Sequence, residues 1–280
     1  MKIIRSIEKM SDFSKTLMRK GKSIGFVPTM GALHEGHLSL IRKARTDTDW
    51  VVVSIFVNPI QFGPREDFKK YPRSLKQDTR LCSKEGVDVI FYPDTKQMYP
   101  AGYKTYLTVQ ELSDCLCGKS RPGHFKGVTT VIMKLFNIVR PDIAYFGQKD
   151  AQQAIIIKKM AADLNTPVRI RIMPTIRERE GLALSSRNIY LNTEERKEAL
   201  VLSQSLKLAK RLIRAGRTDA AWIIRNMRRL ILEKKKARIN YIAIVDAENL
   251  KPISRITDRC LIALAVWVGK TRLIDNIIID

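Results

Sequence analysis

Only three histidines occur in the 280 residues, and two of them stand three apart in the stretch Pro28-Thr29-Met30-Gly31-Ala32-Leu33-His34-Glu35-Gly36-His37. A helical run begins at Leu38, so His34 and His37 lie where a helix starts, and side chains at that spacing can face one ligand. A helix N-terminus presents unpaired N–H groups and a partial positive charge, both suited to phosphate, and Gly36 lets a phosphate come close to the backbone. Imidazole N–H groups placed there can donate to a pentavalent α-phosphate as charge builds on its oxygens. The third histidine, His124, is flanked by glycine in Arg121-Pro122-Gly123-His124-Phe125. All three are expected in loops rather than in periodic segments.

The elements that must hold these residues follow from hydrophobic patterning. Short runs rich in Val, Ile and Phe at 24–27, 51–57, 87–92, 143–146 and 168–173 read as strands buried on both faces. Helical periodicity covers 37–46, 75–85, 127–139 and 150–164 between them. This alternation predicts an α/β fold, a Rossmann-like doubly wound parallel sheet, with ligands bound outside the carboxyl ends of its strands. After Pro174 an irregular stretch leads to two helical segments, 193–215 and 219–235, and then to strand-like runs at 240–246, 259–268 and 271–279. The last two runs are joined by a Gly269-Lys270 turn. We therefore expect a domain over 1–174 and a smaller C-terminal α+β domain over 175–280.

Three more polar segments adjoin strands. Ser54-Ile55-Phe56-Val57-Asn58-Pro59-Ile60-Gln61-Phe62-Gly63 leaves the second strand with amides that can bind a small polar substrate without adding charge. Phe146-Gly147-Gln148-Lys149-Asp150-Ala151-Gln152-Gln153 runs from a strand into a helix. Pro174-Thr175-Ile176-Arg177-Glu178 and Leu184-Ser185-Ser186-Arg187-Asn188 form a polar loop with an arginine for a polyphosphate. The HxGH pattern is shared with nucleotidylyltransferases and class I aminoacyl-tRNA synthetases. Together with the other segments it resembles the pantoate–β-alanine ligase family, the pantothenate synthetases, across nearly the whole chain.

That resemblance implies an ATP- and Mg²⁺-dependent enzyme that adenylates pantoate and joins it to β-alanine. It implies ATP contacts from Met30, Gly31, Ala32, Leu33, His34, Glu35, Gly36 and His37, with His37 as proton donor. Gly147, Gln148, Lys149, Asp150, Ile176, Leu184, Ser185, Ser186 and Arg187 match the remaining ATP contacts, Lys149 and Arg187 at the polyphosphate. His34, His37, Lys149 and Arg187 form the implied catalytic set. Gln61 and Gln153 match the glutamines that hold pantoate, and Asn58 belongs to the same amide loop, while Arg121 and His124 resemble a segment in a wall of the site. Leu184 stands where many relatives have methionine, and Gln148 where some have glutamate, so no metal ligand is assigned. A homodimer is implied, with the C-terminal domain as a lid near the dimer contact and 185–188 as the closing loop.

Composition narrows the alternatives. Hydrophobic residues at 45% and charged residues at 28% exclude a disordered or fibrous chain. Cys82, Cys115, Cys117 and Cys260 form no CxxC pair and read as reduced thiols. No signal-peptide core occurs at the N-terminus, and the longest apolar run, 260–268, is too short to span a bilayer, so a cytoplasmic protein without membrane partners is expected. The net charge of +23 raises nucleic acid as a partner. Its densest stretch, 207–238, interleaves Lys and Arg with Leu and Ile at helical spacing, as a solvated amphipathic helix does, so no specific nucleic acid is expected. A nucleotidylyltransferase acting on another substrate would leave the amides of Asn58, Gln61 and Gln153 unexplained.

Overall fold

The structure, a computed structural model, describes residues 1–64 and 66–280. The chain forms two compact units, one of Met1–Asp114, Gly118–Gly147 and Gln153–Pro174, the other of Cys115–Cys117, Gln148–Gln152 and Thr175–Asp280. The smaller unit thus gathers two short pieces from the first part of the sequence, which a single linear boundary cannot express.

The larger unit is built on a parallel six-stranded sheet. Its strands are β1 (Lys2–Ile4), β2 (Ile24–Thr29), β3 (Trp50–Ile55), β4 (Val89–Phe91), β5 (Ile143–Gly147) and β6 (Arg169–Met173), in the order β1-β4-β3-β2-β5-β6. The inner strands β2 to β5 are short and apolar because both faces are covered. The expectation of burial on both faces is corrected at β6, an edge strand that carries Arg169 and Arg171 and buries none of its residues. On one face α1 (Ile7–Arg19), α6 (His124–Val139) and α7 (Ala151–Asp163) contribute Met10, Leu17, Val128, Leu135, Ile157 and Met160 to a core with Phe26, Val52 and Phe91. On the other, Leu38, Ile41 and Ala44 of α2 (Glu35–Asp47) and Cys82 of α3 (Leu75–Lys84) pack on Val27, Val53 and Ile90. From β2 the chain winds one way through β3 and β4, and then returns to lay β5 against the other side of β2. The reversal places the crevice outside the carboxyl ends of β2 and β5, where open sheets of this kind bind ligands. Strand β1 and the 13-residue helix α1 have no counterpart among the sequence-based expectations; the three residues of edge strand β1 carry too little pattern to register.

The smaller unit packs α8 (Thr193–Ala199), α9 (Val201–Arg214) and α10 (Ala220–Leu232) on an antiparallel sheet of β7 (Ala237–Asp246), β8 (Cys260–Val268) and β9 (Thr271–Ile279). Leu202, Leu206, Ile223, Met227 and Ile231 meet Ile262, Leu264 and Val266 there. The expected single helix over 193–215 is two helices, joined at Leu200, which serves as the C-cap of one and the N-cap of the other. As expected, Gly269 and Lys270 form the turn between β8 and β9, with Val268 paired to Thr271. The short helices α4 (Thr95–Met98) and α5 (Cys117–Ser120) complete the fold.

Candidate active site

The HxGH segment closes on itself. His34 is the N-cap of α2, and Gly36 N–H donates to its Nδ1 at 3.2 Å, while His34 N–H donates to His37 Nδ1 at 3.3 Å. The two rings lie 4.1 Å apart between centroids. A ring nitrogen that accepts cannot also carry a proton, so these bonds leave Nε2 as the protonated nitrogen of each neutral imidazole. His37 N–H and Leu38 N–H are bonded to His34 C=O at 2.7 and 3.1 Å. The helix start therefore uses much of its own N–H capacity, and its donors toward an anion include imidazole Nε2–H groups rather than backbone amides alone. His37 lies in the first turn of α2 and His124 opens α6. The expectation of three loop histidines is corrected at both, because in each case the helix begins earlier than the apolar period does.

A carboxylate from α3 fastens the loop between β2 and His34. Asp78, 2% exposed, accepts from Ala32 N–H at 3.1 Å and from Leu33 N–H at 2.9 Å. Gly31 N–H is bonded to Thr29 Oγ1 at 3.1 Å, and Thr29 Oγ1 donates to Ser54 C=O at 2.8 Å. Gly31 has φ +82°, and a Cβ there would stand 2.9 Å from Asp78 Oδ2, so glycine serves both the turn and the close approach. Burial pushes the Asp78 carboxyl above its ordinary range, and the two backbone N–H groups only partly counter this. With residues 31–33 so engaged, the loop acts mainly as the mount of the histidines.

The amide loop after β3 is also heavily braced. Asn58 Nδ2 donates to Gln61 Oε1 and to Gly127 C=O, both at 3.0 Å, and Asn58 Oδ1 accepts from Tyr99 OH at 2.8 Å. Asn58 is 1% exposed, and both ends of its amide are bonded to protein. Gln61 Nε2 donates to the Met30 sulfur at 3.1 Å, which ties the amide loop to the HxGH segment. Burial keeps the Tyr99 phenol well above its ordinary pKa, with Tyr103 and Tyr106 adding to the shift, so it remains a donor. From the far side, His124 Nδ1 bonds Gln61 C=O and His124 Nε2 bonds Arg121 Nη1, each at 2.8 Å. The carbonyl needs a donor, so the Nδ1 atom carries the proton and Nε2 accepts from the guanidinium. Arg121 also forks onto Glu66, at 2.7 and 2.5 Å. Burial tends to raise the Glu66 carboxyl, but the bond to Arg121 and its charge prevail and hold it below the usual range. Gln153 is the third residue of α7 and is half-buried.

In the smaller unit, Gln148, Lys149 and Asp150 form a single 3-10 turn, with Lys149 Nζ 3.6 Å from Asp150 Oδ1. Asn276 Nδ2 donates to Gln148 C=O and Lys149 C=O, both at 2.9 Å. Ile176 and Leu184 face each other across a hairpin, Leu184 N–H to Ile176 C=O at 3.0 Å. Arg177 forks onto Asp275 at 2.6 and 2.8 Å and also donates to Gly181 C=O at 3.2 Å. Beyond the hairpin, Ser185 caps a 3-10 turn over Ser186–Tyr190 by accepting from Arg187 N–H at 3.2 Å. Asn188 is buried and donates to Glu178 Oε1 and Ala183 C=O at 3.0 and 3.1 Å.

Several of these residues escaped the sequence: Asp78, Tyr99, Glu66, Arg177, Asp275 and Asn276. For the last two a signal existed, since Asp-Asn interrupts an otherwise apolar run in Leu273-Ile274-Asp275-Asn276-Ile277. A buried polar pair in such a strand must have partners.

The chain resembles known proteins along its length. The family profile described as Pantoate-beta-alanine ligase matches residues 2–278. A pantothenate synthetase of Caldicellulosiruptor bescii is 54% identical over 280 residues, all of this chain and 99% of that one, and one of Moorella thermoacetica is 55% identical over the same span. Among solved structures, pantothenate synthetase from Thermus thermophilus superposes with a TM-score of 0.94 at 41% identity, covering 99% of each chain. Pantoate-beta-alanine ligase from Francisella tularensis, in complex with beta-gamma ATP and β-alanine, gives a TM-score of 0.81 at 37% identity over 99% of this chain and 97% of that one. By sequence along nearly every residue and by fold, this chain belongs to the pantoate–β-alanine ligase family.

Proposed function

We propose that this protein condenses pantoate with β-alanine to give pantothenate, AMP and diphosphate through a pantoyl adenylate. The observation that carries this reading is the paired imidazoles at the end of β2, both with Nδ1 accepting from backbone, tied through Met30 to the Gln61 amide. In the first half-reaction a pantoate carboxylate oxygen attacks the α-phosphorus, and diphosphate leaves. The Nε2–H groups of His34 and His37 donate to the α-phosphate oxygens as their charge rises, and Lys149 and Arg187 serve the polyphosphate. In the second, the neutral amine of β-alanine attacks the acyl carbon, the amine loses a proton and AMP departs. Gln61 and Gln153 hold pantoate for both steps, with Asn58 orienting Gln61 rather than touching substrate. No covalent enzyme intermediate is required.

Among the described residues no group of three or more His, Cys, Asp or Glu could hold a metal ion. This suits Mg²⁺, which keeps much of its water and binds through substrate phosphates with at most one or two carboxylates. The ion would enter as Mg·ATP, with Asp150 the nearest carboxylate in sequence to Lys149, and would supply charge neutralisation at the polyphosphate. A mixed anhydride hydrolyses readily, so segment 185–188 is assigned the role of excluding water. The complex of the Francisella tularensis enzyme with beta-gamma ATP and β-alanine supports two of the three substrates. The same reading makes the protein a cytoplasmic homodimer. No helix among the described residues is long and apolar enough to cross a membrane.

The test is direct. Purified protein given ATP, Mg²⁺, pantoate and β-alanine should release AMP only when both organic substrates are present, with pantoate alone yielding at most one diphosphate per site. AMP release indifferent to pantoate would overturn the assignment.

A further inference from the structure

We propose that Asp275 and Asn276 are positioning residues for the nucleotide, holding from opposite faces of β9 the two segments that carry Lys149 and Arg187. The inference rests on the function proposed above and extends it to residues with no place in the reaction. Consecutive side chains of a strand point to opposite faces of its sheet. Asp275 pairs in register with Leu264 and shares its face with Leu273, part of the core against α9 and α10. There it takes both arms of the Arg177 fork, at 2.6 and 2.8 Å, and is 2% exposed. Arg177 starts the hairpin whose other strand, at Ala183 and Leu184, leads directly into Ser185 and Arg187. Asn276, 3% exposed, pairs with Ala263 on the other face, where its amide donates to Gln148 C=O and Lys149 C=O at 2.9 Å each. The small side chain of Ala263 leaves room for this turn to lie close to the strand.

Two features make this more than ordinary packing. From Leu273 to Ile279 the strand is otherwise Leu and Ile, yet it places two polar side chains together, and each satisfies a segment that a purely apolar residue could not hold. Moreover, Asn276 bonds backbone carbonyls on the very residue whose ammonium group is assigned to phosphate, so it fixes the origin of a long and otherwise flexible side chain. Neither residue is a catalytic residue, since each acts through another.

The experiment uses the full chain and its Asn276→Ala and Asn276→Ser variants, titrated with Mg·ATP by calorimetry and assayed for KM of ATP and of pantoate. Losing both bonds should weaken ATP about tenfold, and serine, whose hydroxyl can serve one carbonyl, about threefold, with the KM of pantoate unchanged. In Lys149→Ala the further change to Asn276→Ala should cost little, because the two act as one unit. A merely structural role would lower the melting temperature, leave ATP and pantoate constants in their original ratio and add fully to Lys149→Ala. That pattern overturns the inference while the proposed function stands. A wild-type protein that binds no ATP overturns both. If Asn276→Ala does not fold, the serine variant and the Asp275→Asn variant decide the matter by the same ratio of constants.

Discussion

In the larger unit the histidines come directly off a strand end, and the carboxylate that braces their loop, Asp78, lies one βα unit further along the chain. In the smaller unit the turn carrying Lys149 and the hairpin leading to Arg187 are each fastened to side chains five residues from the C-terminus or closer. The first arrangement follows from topology, since a parallel sheet puts successive loops side by side at one edge. The second requires long-range side-chain bonds, because nothing in an antiparallel three-stranded sheet brings those segments to it. The larger unit should therefore tolerate damage to its braces better than the smaller one, while being more sensitive to loss of the groups it displays.

The largest effect expected is on chemistry. His37→Ala should lower the adenylation rate about a hundredfold to a thousandfold, the usual consequence of removing a donor to a developing oxyanion. Its pantoate affinity and its melting temperature should stay close to wild type. Near-normal turnover would dissolve the contrast by removing the display role from the larger unit.

Next comes stability in the smaller unit. Arg177→Gln leaves the buried Asp275 carboxylate without its partner, and breaking such a pair costs about 3 kcal/mol. Denaturant unfolding should show this loss, accompanied by weakened ATP binding. If Arg177→Gln unfolds at the same denaturant concentration as wild type, the hairpin is held by something other than the clamp.

Bracing in the larger unit should register less, and with a distinctive pH dependence. Asp78→Asn places an NH₂ group where two backbone N–H groups point and should cost about 2 kcal/mol. Because burial raises the folded-state pKa of Asp78, its protonated form is favoured in the fold. The associated stability is present below the ordinary carboxylate value and declines as pH rises through the higher folded value, so the advantage of wild type over Asp78→Asn should shrink across that window. A gap that widens with pH would show that the two N–H bonds outweigh burial. The smallest effect belongs to Glu66→Gln, about 1 kcal/mol, with the opposite sign. The Glu66 carboxyl is lowered by Arg121, so its contribution is present above the ordinary value and is lost as pH falls through the folded one.

The same contrast explains what could be read from the sequence. The parallel sheet, the smaller antiparallel one and the Gly269-Lys270 turn follow from hydrophobic period and turn chemistry, which are local. His34, His37 and Gln61 could be singled out as candidates because the segments that follow β2 and β3 have an unusual composition. Asp78 was not, since one acidic residue in an amphipathic helix such as α3 looks like any solvated charge until the loop it reaches is known. Asn58 shows the reverse limit: its type suggested a substrate contact, and only the positions of Tyr99 and Gly127 reveal that its amide is fully bonded within the protein. The start of α2 shifted because capping by the His34 side chain carries the helix past its apolar pattern, whereas α6 starts from Gly123, whose φ of +78° needs no side-chain cap.

Gly127 carries a further consequence. A methyl group on its Cα would lie 2.6 Å from Ile60 O and from Gln61 Cα, both main-chain atoms that have no rotamer through which to retreat. Any other residue would act as a wedge, lifting the glutamine away from the Met30 sulfur. A library randomised at this one codon and selected for growth without supplied pantothenate should return glycine alone, although the position touches no substrate.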